Sequence, residues 1–157
     1  MRLINYLAII SIFLLACKAD EKKIDTVELK MQLMDIDRAF SKMSEEKGMK
    51  AAFMEYIDSN GVLLRPHTMP LVGGDAMYYI AQTNDSSFVI TWEPTGGMVA
   101  SSGDLGYTYG MYSMKFKSTD SLAFGTYVSI WKKQSDGKWK FSLDSGNEGV
   151  GEIEKED

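Results

Sequence analysis

The chain has 157 residues, of which 45% are apolar and 25% charged, a balance typical of one globular domain with its own core. Its formal net charge of −5 and its isoelectric point of about 4.9 argue against nucleic acid as a partner. One histidine and one cysteine supply too few ligands for a zinc site, and we expect neither a metal nor another cofactor.

Residues 1–16 have the pattern of a secretory signal peptide: Arg2 precedes an apolar run that is shorter than the roughly 20 residues a membrane-spanning helix needs. The sequence Leu14-Leu15-Ala16-Cys17 resembles the lipobox of bacterial lipoproteins. That resemblance implies cleavage before Cys17, acylation of this cysteine, and anchoring to membrane lipid in the bacterial cell envelope, on the periplasmic or the surface-exposed side of the outer membrane. Residues 17–24 would then be the lipidated cysteine and a charged tether. The alternative is an ordinary signal peptide followed by a chance cysteine.

The first predicted helix begins at Asp25, because Asp25 and Glu28 have the spacing of a capping box. Gly48 is a plausible end for this helix. We expect Asp37 to lie off its buried face. The apolar face recurs at helical spacing, at Leu29, Leu33, Ile36, Phe40 and Met43.

A short second helix is predicted from Met49 to Tyr56, followed by a turn at residues 58–61. Residues 62–65 and 69–72 are expected to form a small hairpin around Pro66. A third helix follows, capped by Asp75 and ending at Gln82.

The remaining chain alternates with the period of strands. The expected strands are residues 88–94, 98–101, 106–117, 122–134 and 139–144. Asp136-Gly137 is a strong hairpin signal. Three helices followed by an antiparallel meander predict an α+β domain over residues 25–147. Residues 148–157 are acidic and are expected to form a flexible tail.

The glycine-rich stretch 102–110, SGDLGYTYG, has two possible structures. A phosphate-binding loop would have to lead directly into a helix, and no helical pattern follows. The tyrosines and the threonine of this stretch favour a strand. We therefore predict a turn at residues 102–104 and a bent strand that contains Gly106 and Gly110.

Several short motifs are shared with a known family. They are Asp37-Arg38-Ala39-Phe40, Leu64-Arg65-Pro66, Gly73-Gly74-Asp75-Ala76, Trp92-Glu93-Pro94 and Gly125-Thr126-Tyr127. Together they resemble the SnoaL-like group, and within it a bacterial subgroup known as a domain of unknown function, in the nuclear transport factor 2-like superfamily. The resemblance covers roughly residues 27–147. It implies a cone-shaped, curved antiparallel sheet wrapped on three N-terminal helices, with a pocket at the wide end.

The same superfamily contains ketosteroid isomerases, whose mechanism needs a carboxylate base, a tyrosine and a protonated acid. The resemblance aligns these three groups with Arg65, Phe40 and Ser129, none of which can take the corresponding role. Ketosteroid isomerase chemistry is therefore not expected.

The resemblance also suggests which side chains enter the pocket. The candidates are Arg65, His67, Trp92, Tyr107, Tyr109, Tyr127, Ser142 and Asp144. Met111 would face inward beside the two tyrosines of its strand, although an error of one residue would reverse that facing. Arg65 and His67 would lie near the mouth, and a lone surface position is the alternative for His67.

Asp144 is the best candidate for a catalytic group, since an aspartate among aromatic side chains can serve as an acid or a base. The alternative is structural: Asp144 pairs with Arg65 or accepts hydrogen bonds from backbone amides. For the tyrosines, aromatic packing is the alternative to ligand contact.

Three functions are compatible with the sequence. The first is a lipid-anchored module that binds a small hydrophobic molecule in an aromatic pocket. The second is an enzyme that carries out proton transfer or hydration on a small hydrophobic substrate, with Asp144 as acid or base and Tyr107 or Tyr109 as donor. The third is a homodimeric assembly protein that associates through the outer face of its sheet.

Overall fold

The structure is a computed structural model that describes residues 25–150. The predicted signal peptide, Cys17 with the tether, and residues 151–157 of the predicted tail lie outside this range. The three helices are α1 (Thr26–Lys47), α2 (Met49–Tyr56) and α3 (Gly74–Gln82). The six strands are β1 (Ile57–Leu64), β2 (Leu71–Val72), β3 (Phe88–Val99), β4 (Leu105–Phe116), β5 (Leu122–Lys133) and β6 (Trp139–Glu148).

Helix α1 begins and ends as predicted. The Asp25 carboxylate accepts hydrogen bonds from the backbone N–H groups of Val27 and Glu28, both at 3.0 Å, and the helix ends at Gly48, whose φ of 88° favours glycine. The prediction for Asp37 was wrong, because this side chain is fully buried. Asp37 follows the buried Leu33 by four residues, and residues at that spacing share a helix face.

The six strands form one curved, unclosed sheet in the order β2-β1-β6-β5-β4-β3. All neighbouring pairs are antiparallel except β1 and β6, which run parallel, with Ile57 opposite Phe141 and Leu63 opposite Asp144. The α+β class with three helices against a curved sheet is confirmed. The sheet is mixed rather than antiparallel throughout, because β6 returns beside β1 instead of ending the meander at an edge.

Two strands continue through segments that were predicted to be breaks. β3 passes Pro94 and reaches Val99, with a shift of register between Pro94 and Gly96. β3 is an edge strand, and a bulge there tolerates proline because no ladder donor is needed. The predicted turn at 58–61 lies inside β1, where the Asp58 carboxylate accepts a hydrogen bond from the Asn60 N–H at 2.8 Å.

The predicted turns before and after the central strands are confirmed. Gly103, at a φ of 74°, lies in the turn before β4, and Gly106 and Gly110 lie within β4. Gly137, at a φ of 85°, lies in the turn that leads into β6. β6 ends at Glu148 rather than at Asp144, so the residues from Asp144 to Glu148 belong to the sheet.

The helices pack on the concave face of the sheet around a cluster of aromatic rings. Phe40 of α1 contacts Phe53 of α2 edge-on, with ring centroids 4.9 Å apart, and stacks on Phe141 of β6 at 5.6 Å. Trp131 and Trp139 are buried in the same core. Among residues 25–150, no helix is long and apolar enough to cross a membrane.

Candidate functional site

A cavity of about 330 Å³ lies between the short helices and one end of the curved sheet. Its volume falls at the lower end of the roughly 300–1,000 Å³ found for small-molecule sites. The residues that line it are Met49, Phe53, Arg65, Pro66, Tyr79, Thr83, Phe88, Ile90, Trp92, Tyr112, Met114, Tyr127, Asp144, Ser145, Gly146 and Glu148.

The alternation of strand residues explains why the cavity wall is largely aromatic and apolar. Phe88, Ile90 and Trp92 are every second residue of β3, so they project to the same face. Tyr112 and Met114 do the same at the end of β4. The cavity therefore lies where the long strands extend beyond the part of the sheet that the aromatic core covers.

Arg65 and Asp144 form an ion pair in the cavity wall, with Arg65 Nη2 2.6 Å from Asp144 Oδ1. Their side chains are only 17% and 10% exposed. The other carboxylate oxygen of Asp144 accepts a hydrogen bond from Ser129 Oγ at 2.8 Å. Both oxygens of Asp144 are thus engaged by donors. This geometry favours the structural interpretation of Asp144 over the acid–base one.

A second buried carboxylate stands behind the cavity wall. Asp37 accepts hydrogen bonds from Trp92 Nε1 at 2.8 Å and from the Tyr127 hydroxyl at 2.7 Å. Burial raises the pKa of the Asp37 carboxyl above its ordinary value, although the hydrogen bonds from Tyr127, Trp92 and Thr108 oppose the shift. Burial and the charge of Asp37 raise the pKa of Tyr127 as well. Asp37 fixes the two aromatic rings that close the back of the cavity.

Tyr112 is a cavity residue that the sequence did not reveal. A Cβ atom added to Gly125 would meet the Tyr112 ring, and one added to Gly146 would contact it at 3.6 Å. The ring therefore lies across β5 towards β6. Burial raises the pKa of Tyr112, the negative charge of Glu148 raises it further, and the positive charge of Arg65 lowers it. The Tyr112 side chain is thus within electrostatic reach of both charged residues.

Four of the predicted pocket residues come together around the cavity: Arg65, Trp92, Tyr127 and Asp144. Tyr107 and Tyr109 do not, because they project from the outer face of β4, where they are 37% and 49% exposed. Met111 projects to the same outer face. The predicted facing of this strand was wrong by one residue.

Close packing between α1 and the sheet determines the facing of β4. The inward positions are Gly106, Thr108 and Gly110, all buried. A Cβ atom on Gly106 would lie 2.7 Å from Leu33 Cδ2 of α1. Small residues must therefore face the helix here, and the tyrosines between them must face outward.

Ser142 and His67 also lie outside the cavity lining. The register of β5 and β6 shifts beside Ser142, whose hydroxyl donates to the Ile130 carbonyl oxygen at 3.2 Å. This bulge allows Phe141 and Asp144 to face the same side, although they are three positions apart. His67 is exposed in the turn after β1, at a φ of 61°.

Comparison with solved structures places this architecture in a known fold. A nuclear transport factor 2-like protein with a cystatin-like fold from Novosphingobium aromaticivorans aligns with a TM-score of 0.63 at 10% identity, over 80% of this chain and 85% of that one. A ketosteroid isomerase-like protein from Erwinia carotovora atroseptica SCRI1043 aligns with a TM-score of 0.60 at 13% identity, over 76% and 96%. The chain has the nuclear transport factor 2-like fold.

A nuclear transport factor 2-like superfamily protein from Salmonella enterica serovar Typhimurium has the same fold, with a TM-score of 0.57 at 13% identity, over 81% of this chain and 98% of that one. No family model and no curated protein matches the sequence. At these identities the similarity identifies the nuclear transport factor 2-like fold alone. The function must be argued from the cavity.

Proposed function

We propose that this protein is a SnoaL-like, lipid-anchored module of the bacterial cell envelope that binds a small, largely apolar molecule in the cavity behind Arg65. The observation that carries the proposal is the cavity itself, which combines aromatic walls with one buried ion pair. Sites for small molecules typically combine such walls with a few fixed polar groups. The hydrogen bonds of Asp37 hold Trp92 and Tyr127 in place without a ligand.

The arrangement supports binding more strongly than acid–base catalysis. A general base needs a free oxygen near the substrate, whereas Arg65 and Ser129 engage both oxygens of Asp144. The proposed proton donors, Tyr107 and Tyr109, lie on the outer face. An enzyme built from these three residues would have its groups on opposite sides of the sheet.

Native mass spectrometry of the full chain, purified from its own cells, tests the binding function. We expect the wild-type protein to retain a small molecule that collisional activation releases. In Met114→Trp the larger side chain fills the cavity, and the retained mass should disappear. Met111→Trp is the matched control, because Met111 lies on the same strand but faces outward, half exposed.

Two results would contradict the binding function. One is an equal amount of retained molecule in both tryptophan variants, which would place the binding site elsewhere. The other is a wild-type protein that retains nothing and shows no heat of binding with any apolar aromatic probe.

The lipid anchor rests on the position of Cys17 directly after Leu14-Leu15-Ala16. Two or more acyl chains give stable membrane attachment where a single chain is marginal. We expect the wild-type protein to take up labelled palmitate and to sediment with membranes, and Cys17→Ala to do neither. Ala19→Ser, which keeps the cysteine, is the control. Palmitate label that persists in Cys17→Ala would contradict the anchor.

Self-association is a second candidate function, and the outer face of the sheet supports it. Tyr109 and Met111 are each 49% exposed there, and Met98 is 53% exposed. Exposed apolar side chains of this kind are typical of interaction surfaces. Sedimentation of the wild type and of Tyr109→Ser tests this function: a dimer that the substitution dissociates supports assembly through this face, and a wild-type monomer contradicts it.

A further inference from the structure

The guanidinium group of Arg65 has hydrogen-bonding capacity beyond its ion pair. Nη1 donates to the carbonyl oxygens of Leu64 at 3.0 Å and Asp144 at 3.2 Å, and Nη2 donates to Asp144 Oδ1 at 2.6 Å. A guanidinium carries five N–H groups, so Nε–H and one N–H of Nη2 have no acceptor among residues 25–150. No buried side-chain nitrogen in that part of the chain lacks a partner. Nε, which has no partner, is therefore not fully buried, and because Arg65 lines the cavity, its Nε–H is available to a ligand bound there.

The charges around the cavity disfavour an anionic ligand. Asp144, at 2.6 Å, neutralises the charge of Arg65, so the guanidinium offers donors without net charge. The remaining charged residue in the lining is Glu148, which is exposed. A bound carboxylate would be repelled by Glu148 and Asp144. A cationic group such as an ammonium has no lone pair with which to accept a hydrogen bond from Arg65. A neutral hydrogen-bond acceptor has neither disadvantage.

A second donor lies in the same part of the wall. The Tyr112 ring lies over Gly125 and Gly146, where a larger residue at Gly125 would displace it. The charges of Arg65 and Glu148 both act on its hydroxyl. A tyrosine hydroxyl can donate one hydrogen bond. Gly146, over which the Tyr112 ring lies, is two residues after Asp144, the partner of Arg65, so Arg65 and Tyr112 contribute N–H and O–H donors to neighbouring parts of a largely apolar cavity wall.

We propose that the ligand is a neutral, apolar molecule with one carbonyl-type oxygen, which accepts hydrogen bonds from the Arg65 guanidinium and the Tyr112 hydroxyl. Ketones, esters and amides belong to this class. The inference rests on the proposed binding function and specifies the chemistry that the cavity selects. Binding forms no covalent bond and moves no proton.

Three probes with one skeleton test the proposal by isothermal titration of the full chain at neutral pH. 2-Acetylnaphthalene carries a neutral acceptor, 2-ethylnaphthalene carries none, and 2-naphthoate is an anion. We expect the ketone to bind about 10-fold more tightly than the ethyl compound, since one or two net hydrogen bonds contribute about this much. The ketone should also bind more tightly than the anion.

Matched variants assign the selectivity to the two donors. Tyr112→Phe keeps the ring over the glycines, so it should bind 2-ethylnaphthalene as the wild type does and lose about 3- to 10-fold in affinity for the ketone. Arg65→Lys keeps the charge beside Asp144 but replaces the planar fork, and it should reduce the same selectivity. Tyr107→Phe, on the outer face, should change nothing.

The possible outcomes separate this inference from the function on which it rests. Equal affinities for ketone and ethyl compound, or tightest binding of the anion, would overturn the inference and leave the binding function standing. Unchanged selectivity in Tyr112→Phe would overturn the role of Tyr112, and with it the proposal. Failure of all three probes to bind the wild type would count against the binding function itself.

Discussion

The two faces of strand β4 differ in how strictly their residues are constrained. On the inner face, Gly106 and Gly110 approach neighbouring atoms so closely that a single added carbon would collide with them. On the outer face, Tyr107 and Tyr109 are partly exposed, and their rings lie 6.4 Å apart in a tilted arrangement. Between Leu105 and Met111, the largest side chains are thus in the least constrained positions, and the smallest residues are where the packing is tightest.

The inner face also carries buried polar groups, whose hydrogen bonds are needed for the stability of the fold. Thr108 Oγ1 accepts a hydrogen bond from Trp131 Nε1 at 2.8 Å, and Asp37 engages Trp92 and Tyr127. Burial is tolerable for these groups because each has a partner. A substitution on the inner face should therefore lower the free energy of unfolding far more than one on the outer face.

Asp37→Ala should be the most damaging substitution. It leaves Trp92 Nε1 and the Tyr127 hydroxyl without their acceptor inside the protein and creates a small cavity. Each buried donor left unpaired costs about 1–3 kcal/mol, so we expect a loss of about 4 kcal/mol in the free energy of unfolding. Urea denaturation measures this loss. A loss below about 1 kcal/mol would show that the buried network contributes little to stability.

Gly110→Ala should have the second-largest effect, a loss of about 3 kcal/mol in the free energy of unfolding. Its Cβ would collide with the Glu93 carbonyl oxygen, a backbone atom that cannot move aside. Gly96→Ala is the matched control on the neighbouring strand. There the new Cβ would meet the Tyr109 hydroxyl at 2.7 Å, and an exposed tyrosine can turn away. We expect a loss below about 1 kcal/mol for Gly96→Ala. Equal thermal midpoints for the two variants would contradict the difference between the faces.

Asp144→Asn should destabilise the fold by about 2 kcal/mol at neutral pH, because it leaves the Arg65 charge unpaired in a place where both side chains are largely buried. The partial exposure of the pair keeps the figure below that for a fully buried one. Denaturation midpoints at pH 5 and pH 8 test this expectation. A variant more stable than the wild type at pH 8 would mean that the ionised Asp144 is strained, and would favour the acid–base role.

The titration of Asp37 should have the smallest effect on the free energy of unfolding. Burial raises the pKa of Asp37 in the folded protein above the ordinary value of 3.8. A raised folded pKa gives stability that is fully present below pH 3.8 and is lost as the pH rises through the folded pKa. Asp37→Asn cannot titrate, so the wild type should lose stability relative to this variant as the pH rises from 3 to 7. A stability difference that does not change over this range would contradict the raised pKa.

Much of the architecture was predictable because local chemistry determines it. Asp25 and Gly48 mark the ends of α1, and Asp136-Gly137 marks the last hairpin. The inward facing of Trp92 was predicted from the family resemblance. The proximity of Arg65 and Asp144 was one of two alternatives, and it came from family resemblance rather than from local pattern.

The errors arose where distant parts of the chain meet. The facing of Tyr107 and Tyr109 depends on how closely α1 approaches the sheet, which no local pattern reports. The bulge beside Ser142 has no sequence signal of its own, and it leaves Ser142 outside the cavity lining although Asp144 lies in it as predicted. Asp37 is polar, so it was predicted to be exposed, although it lies four residues after Leu33 on the buried face. Tyr112 was overlooked because its place over two glycines is set by strand pairing.

The most direct test of the central claim, that the concave cavity and not the outer face is the binding site, is an NMR titration of protein labelled with ¹³C at its methionine methyl groups. Met49 and Met114 line the cavity, whereas Met98 and Met111 are exposed on the outer face. On addition of 2-acetylnaphthalene, whose rings shift nearby resonances, the methyl signals of Met49 and Met114 should move and those of Met98 and Met111 should not. Shifts confined to Met98 and Met111 would contradict the account.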